Sequence, residues 1–334
     1  MSAALPKERT ATARSTANTK APNEMLESLI KPHYPKAAIG ISQLAITALS
    51  LQKQAAGRYG IRQAATVEIP EGVVYPAFAE ENIPDPSLFA SGLQRATEEC
   101  GLAGTKNWSV TLPSSTARTA ILTLSEVPAS RKELAEVLEF KAETSFGVPS
   151  DQLRISLERL DPLTDGRTRY LASAIKLAVL DEYETVFESL GWKAGLILSK
   201  SVCELKWLVE THTVGDSLLI SSQENGFTAL LLRNGEPALV RSVTCRDDEV
   251  DDEIFRLLVY YNDKYSAGGK NLLSRFLVVG EGGFDERLRG ITAEALGTRV
   301  DLLQPSDIGL EMVGGSIRFS DVAAPAGIAT FGYR

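Results

Sequence analysis

One order of secondary-structure elements, three strands followed by a helix and a strand (βββαβ), can be read twice along the 334-residue chain. The first copy has strand-like runs at 37–41, 44–53 and 60–69, a helical apolar period over 86–100 and a buried strand at 108–112. A chain that repeats one supersecondary unit is expected to fold into two similar halves, each with its own sheet.

The second copy follows a predicted helix at 201–209. Its elements are three strands at 217–222, 227–233 and 238–243, a helix at 248–261 and a strand at 276–279. Asn234 and Gly235 separate its second and third strands, and this pair is typical of a type I′ hairpin turn. The predicted fold class is therefore α/β with a duplicated βββαβ domain.

A different pattern, strand, helix, strand, strand, helix, fills the stretch between the two copies. Ser130 and Glu133 have the spacing of a capping box, and Gly147 ends the helix that they begin. A small α+β insertion is therefore predicted between the halves. The predicted division is a leader at 1–35, a first half at 36–116, the insertion at 117–192 and a second half at 193–334.

The leader divides into two pieces. Residues 1–22 are rich in Ala, Thr and Ser, carry four basic residues and one acidic residue, and are expected to be a disordered basic tail. Residues 23–31 have apolar side chains at helical spacing, which predicts a short amphipathic helix. Packing of this helix on its own domain and docking on a partner both remain open.

Composition excludes several classes of function. The net charge is −8, which offers no broad attraction for nucleic-acid phosphates. Two histidines, His33 and His212, and three separated cysteines leave little for histidine catalysis, a metal cluster or a disulfide framework. The longest uncharged run, 37–52, has 16 residues and several polar side chains, so no membrane span is expected. A cytoplasmic, reducing compartment fits this composition.

Several phrases of the sequence, taken in their order, resemble one family. They are Val110-Thr111-Leu112-Pro113, Val127-Pro128 leading into Lys132-Glu133-Leu134, Arg233-Asn234-Gly235-Glu236-Pro237 with Arg241-Ser242-Val243, and Pro325-Ala326-Gly327-Ile328-Ala329. The resemblance is to the FtsA/PilM family of actin-like proteins, PilM being a protein of type IV pilus assembly, and it covers about residues 37–334. It implies the actin-like (ribonuclease H-like) fold, with a carboxyl-terminal helix that returns to the first half.

The resemblance also implies where a nucleotide site would lie. In that superfamily two β-hairpins hold the phosphates, each with an Asp for the metal-bound water and a Gly that lets backbone N–H groups approach. Here Gly40 replaces the first acid and Ser42 the first glycine, while residues 220–223, Ile-Ser-Ser-Gln, have neither. A vestigial nucleoside turn remains at Gly280, Gly282 and Gly283.

The family chemistry therefore predicts a pseudo-ATPase with no catalytic residues and no metal, for which ATP or ADP is a disfavoured cofactor. An active actin-like ATPase, or a nucleotide-binding assembly protein with relocated metal ligands, remains the alternative. A filament-forming protein is a third reading.

By the same resemblance, the expected function is that of a cytoplasmic scaffold in a type IV pilus or related secretion machine. Its expected partner is the cytoplasmic peptide of a bitopic, PilN-like inner-membrane protein, so that it is peripheral to the membrane without inserting in it. Self-association is left open, and no nucleic-acid partner is expected. The groove predicted for the partner peptide comprises Val110, Leu112, Pro113, Leu122, Leu124, Val127 and Leu134.

Overall fold

The structure is a computed structural model, and it describes residues 33–126, 128–163, 165–211, 215–265, 273–280, 284–312, 314 and 317–333. By their contacts Met1–His33 and Tyr34–Arg334 form two units, and every element below lies in the second. The tail and the amphipathic helix expected at 1–31 lie outside the described residues.

The first half follows the predicted βββαβ order. Its elements are β1 (Ala37–Ile41), β2 (Ala45–Lys53), β3 (Tyr59–Glu68), α1 (Pro86–Glu99) and β4 (Asn107–Leu112). Helix α1 begins where it does because Asp85 accepts hydrogen bonds from the backbone N–H groups of Ser87 and Leu88, at 3.1 and 2.9 Å. Phe89 and Leu93 on its buried side pack in the core over β2 and β3.

The insertion has a three-stranded antiparallel sheet and one helix. Its elements are β5 (Ala117–Leu124), α2 (Arg131–Phe146), β6 (Leu153–Leu160) and β7 (Thr168–Lys176), and the strand order is β5-β7-β6. As predicted, Ser130 accepts a hydrogen bond at 3.1 Å from the backbone N–H of Glu133 at the start of α2. Gly147 ends the helix with a left-handed φ of 69°, a conformation that glycine adopts at little cost.

The next two elements, α3 (Leu177–Ser189) and β8 (Lys193–Ser199), belong with the first half. Strand β8 pairs in parallel with β4, and Val179, Tyr183 and Phe187 of α3 pack in the same core as Phe89. The end of the insertion, predicted at residue 192, is thus corrected to Lys176. The apolar period of α3 indicated a helix, but a period does not say which of two sheets the helix covers.

The second half repeats the order of the first. Its elements are α4 (Lys200–Glu210), β9 (Asp216–Gln223), β10 (Gly226–Arg233), β11 (Glu236–Val243), α5 (Val250–Tyr265), β12 (Leu273–Val279), α6 (Phe284–Leu296), β13 (Asp301–Leu302), β14 (Leu310–Glu311) and α7 (Phe319–Ala329). The predicted β10–β11 turn is confirmed, since Asn234 and Gly235 have φ values of 51° and 86°.

Two larger sheets carry the two halves. Their strand orders are β14-β3-β2-β1-β4-β8 and β11-β10-β9-β12-β13, so the repeated unit places β1 and β9 at equivalent central positions. Helices α4 and α7 pack together in one apolar core with residues from both sheets, including Leu49 of β2 and Leu219 of β9. A single core therefore joins the halves.

Helix α7 returns the chain to the first half. It packs against β1, β2 and β4, and Trp207 of α4 donates a hydrogen bond at 2.8 Å from Nε1 to the carbonyl of Ala323. Almost all its side chains are buried, as expected for a helix that is apolar on every side. In the part of the chain that the structure describes, no helix combines the length and the apolar character needed to cross a bilayer.

Candidate functional site

A cleft of about 880 Å³ lies between the β1–β2 hairpin of the first half and the β9–β10 hairpin of the second. These are the two hairpins that the sequence singles out. The cleft lining includes both turns, the end of β12, the start of α4 and one side of α7, represented by Ser42, Gln223, Gly280, Lys200 and Pro325.

The first hairpin turn is closed by its own serine. The backbone N–H of Ser42 donates to the carbonyl of Ala45 at 2.9 Å, and the Ser42 hydroxyl accepts from the backbone N–H of Ala45 at 3.0 Å. Two backbone N–H groups of this turn are thus engaged within the turn. Because a phosphate cradle works by presenting free N–H groups, the serine hydroxyl occupies one donor, the Ala45 N–H, that a glycine at residue 42 would leave available.

The side-chain position of Gly40 is filled by α7. A Cβ atom at residue 40 would lie 2.9 Å from Pro325 Cγ and 3.3 Å from Thr111 Oγ1, closer than such atoms normally approach. The glycine therefore permits the close packing of α7 on β1. An aspartate at this position, where the superfamily has its first acid, would need α7 to move.

The second hairpin differs in chemistry. Counted back from its turn, Ser221 takes the position that Gly40 has in the first hairpin, and it is fully buried. The Ser222 side chain occupies the space that a Cβ on Gly280 would need. Gly280 thus has a packing reason to be glycine at the end of β12, independent of any nucleoside contact.

Two charged residues of α4 lie beside this hairpin. Lys200 Nζ donates to the carbonyl of Ser222 at 3.1 Å and lies 4.0 Å from Glu204 Oε1. Glu204 is fully buried, and neither of its carboxylate oxygens has a well-formed hydrogen bond in the described residues. Burial raises the pKa of Glu204 from 4.5 to about 7, because the Lys200 ammonium and the nearby Ser221 hydroxyl offset only part of the desolvation.

The charged walls of the cleft suit an anion poorly. Arg318 makes a two-pronged pair with Asp321 at 3.0 and 3.1 Å, and Arg287 pairs with Asp251. The negatively charged side chains of Glu68, Glu224 and Asp247 also line the cleft, together with the positively charged side chain of Lys200. The described residues contain no group of three or more His, Cys, Asp or Glu side chains placed to hold a metal ion.

The fit of a magnesium triphosphate can be tested on these contacts. The turn amides of Ser42 and Ala45 are engaged, the position of the first acid is filled by Pro325, and the second is a buried serine. The residues present therefore do not fit that group.

The residues predicted for a peptide groove lie elsewhere. Val110 and Leu112 are buried in the core of the first half, and Leu122 and Leu124 in that of the insertion. Pro113 is buried and Leu134 is partly exposed. These core side chains do not line an open groove, because alternating apolar residues in a strand indicate a buried face without saying what covers it. Val127, Gly282 and Gly283 lie outside the described residues.

Three residues of the site were missed at the sequence level. Pro325 was noted only as part of the returning helix and Glu204 only as part of the helix predicted at 201–209, and Lys200 lies just before that predicted helix. A signal for the last two existed, since opposite charges four residues apart interrupt an otherwise apolar run. No local pattern shows that Pro325 meets Gly40, because the contact joins residues 285 positions apart.

No protein-family model matches the chain, and no curated protein matches it. Among solved structures, a chain of the PilM-PilN type IV pilus biogenesis complex is similar at 14% identity and a TM-score of 0.69, over 91% of this chain and 100% of that chain. A Bacteroides thetaiotaomicron protein with an actin-like ATPase fold and unknown function gives 10% identity and a TM-score of 0.49, over 83% and 93%.

The cytoplasmic domain of EpsL, an inner-membrane component of the type II secretion system of Vibrio cholerae, gives 12% identity and a TM-score of 0.41, over 79% and 96%. Of these three structures, the chain of the PilM-PilN complex shares the fold most fully with this chain. At 14% identity it identifies architecture and not activity. With two equivalent sheets, a cleft between their hairpins and an α+β insertion, the chain has an actin-like fold, and this fold is similar to that of a chain of the PilM-PilN complex.

Proposed function

We propose that this protein is a cytoplasmic scaffold of a type IV pilus or related secretion machine and that it does not hydrolyse ATP. Two observations support the proposal. The fold is that of a chain in a pilus biogenesis complex, and the cleft in which actin-like enzymes hold a nucleotide is closed at both of its acid positions.

The contact between Gly40 and Pro325 carries the proposal. Because α7 also packs on α4 and β2, it cannot withdraw from β1 without disturbing the core that joins the halves. The position of the first acid therefore serves as a packing site for the returning helix. A scaffold needs no more from this position.

The partner proposed is the short cytoplasmic segment of a bitopic inner-membrane protein of the PilN kind. Such a partner would keep the scaffold at the inner membrane without a span of its own. This step rests on the likeness to a chain of the PilM-PilN complex, which joins two proteins.

Helix α2 of the insertion offers the contact surface for that segment. Leu134 and Val137 are partly exposed, and Phe140 is 68% exposed, the largest exposure among the big apolar side chains of the described residues. Their spacing of three places them along one side of the helix. An apolar row of this kind suits a short peptide that binds by side-chain contacts and backbone pairing.

Binding of the amino-terminal peptide of the organism's PilN-like protein tests this role. Phe140→Asp and Leu134→Asp should each weaken binding about tenfold or more, since a charge replaces an apolar contact. Leu88→Asp is the matched control, because Leu88 is 50% exposed on α1 of the first half and its change should leave binding as it was. Equal capture by the folded α2 variants would exclude this surface.

A nucleotide-binding protein with relocated ligands is the second candidate. Glu204 favours it, because this carboxyl lies beside the hairpin position from which the second acid is missing. Against it, Lys200 already stands at 4.0 Å from that carboxyl, where a cation would otherwise be drawn. Calorimetry with Mg-ATP separates the two candidates.

A further inference from the structure

The insertion ends in an open strand edge. Strand β6 pairs with β7 on one side, and within the described residues no strand pairs with its other side. Its eight residues contain no proline, and its pairing with β7 has no bulge. An edge of this length and regularity presents a row of N–H and C=O groups that another strand can pair with, unless some feature blocks it.

The exposed side chains of β6 do not block such pairing. Residues 156–159 are exposed, and Leu157 is 42% exposed although it lies on the same sheet face as the buried Ala172 opposite it. The far edge strand of the sheet, β5, lies against β11. The open edge at β6 is therefore where a further strand could be added to the sheet.

The charges of β6 make the strand complementary to itself. In an antiparallel pair of two copies with the two-fold axis at Ser156, Arg154 of each copy stands opposite Glu158 of the other. Ile155 then stands opposite Leu157, which joins the apolar face of one insertion to that of the other. Within this register the central pairs on both faces of the strand are matched, whereas Arg159 stands opposite Leu153.

Neighbouring registers lose the match. If the two-fold axis lay at Ile155, Arg154 would stand opposite Ser156 of the other copy. If it lay at Leu157, Arg154 would stand opposite Leu160. In both cases the charge pair disappears. Opposite charges directly across antiparallel strands favour pairing, so the pattern selects the axis at Ser156.

We propose that two copies of this chain associate through antiparallel pairing of their β6 strands about a two-fold axis at Ser156. This inference is independent of the proposed scaffold function and of the cleft. One strand pair is smaller than a standard protein interface, so the dimer is expected to be weak, with a Kd on the order of 100 µM. A weak isologous contact is suited to copies that a larger assembly already brings together.

Charge reversal tests the register. Arg154→Glu and Glu158→Arg should each raise the dimer Kd in sedimentation equilibrium about tenfold, since each creates two like-charge pairs per dimer. The double variant should return to within about threefold of the wild type, because it restores opposite charges in the exchanged order. Arg154 also acts on Glu184 of α3, so Glu158→Arg is the cleaner single variant, and thermal unfolding of each variant checks its fold.

Disulfide trapping tests the axis, in a Cys245→Ser background because Cys100 and Cys203 are buried. Ser156→Cys should form a dimer rapidly, since the two residues face each other. Glu158→Cys should not, because the two thiols would lie about 13 Å apart along the strands. A wild type that stays monomeric at about 500 µM, trapping at 158 instead of 156, or failure of the double charge variant to recover would each overturn the proposal.

Discussion

The two hairpins that face the cleft occupy equivalent places in the two halves, but they are closed by different physical means. At the first, an apolar helix fills the acid position, with Pro325 against Gly40. At the second, the place is taken by a buried serine, with an ammonium and a carboxyl from α4 beside it. One closure depends on shape and is insensitive to pH, whereas the other depends on charge.

The difference matters because one substitution cannot reopen both hairpins. Restoring an acid at residue 40 requires α7 to move, which disturbs the core shared by both halves. Restoring a metal ligand at the second hairpin requires Lys200 to give up its place beside Glu204.

The largest effect is expected at the first hairpin. Gly40→Asp should lower the free energy of unfolding by about 3 kcal/mol or more, because the new side chain is forced against Pro325 in a packed region. Urea denaturation measures the change. Gly104→Asp is the matched control, since a Cβ at this exposed glycine meets no atom within 4 Å.

The loss should be coupled to Pro325. In a Pro325→Ala background Gly40→Asp should cost at least about 1 kcal/mol less, because the closest atoms, Cγ and Cδ, are gone. An equal cost in both backgrounds would mean that α7 does not close this position.

A smaller, pH-dependent effect is expected at the second hairpin. The pKa of Glu204 is raised in the folded state, so between about pH 4.5 and 7 the folded protein holds a proton that the unfolded chain releases. The Glu204 carboxyl therefore lowers the free energy of unfolding as the pH rises through that window. Glu204→Gln should remove the loss and raise the free energy of unfolding at pH 8 by about 2 kcal/mol, with little change at pH 4.5.

Urea denaturation at several pH values checks this sign. Glu139→Gln, at an exposed position of α2, is the control and should be neutral across the range. A Glu204→Gln variant that loses stability at pH 8 would mean that the carboxylate is held charged by a strong pair with Lys200, contrary to its pKa.

The sequence patterns predicted the helices, strands and turns better than they predicted which elements pack together. The β10–β11 turn and the capped start of α2 were predicted correctly because each is decided by residues next to one another, Asn234 with Gly235 and Ser130 with Glu133. The assignment of α3 to the insertion and of β8 to the second half was wrong, since their partners are chosen by tertiary packing.

The same limit applies to the site. The absence of an acid at Gly40 and at 220–223 could be read from the sequence, but what fills the space could not. Leu122 and Leu124 were predicted for a groove and lie in a core, because an apolar strand face looks the same in either case. Phe140, which the structure leaves exposed, belongs to a helix with little amphipathic character, so the sequence pattern did not indicate its exposure.

The claim on which the account depends is that the cleft between the two hairpins does not hold a magnesium triphosphate. Isothermal titration calorimetry of the full chain with Mg-ATP measures this directly. We expect no saturable heat up to about 1 mM nucleotide, because the turn amides of Ser42 and Ala45 are engaged and neither hairpin has an acid at the metal-binding position. Saturable, magnesium-dependent binding in the micromolar range would contradict it.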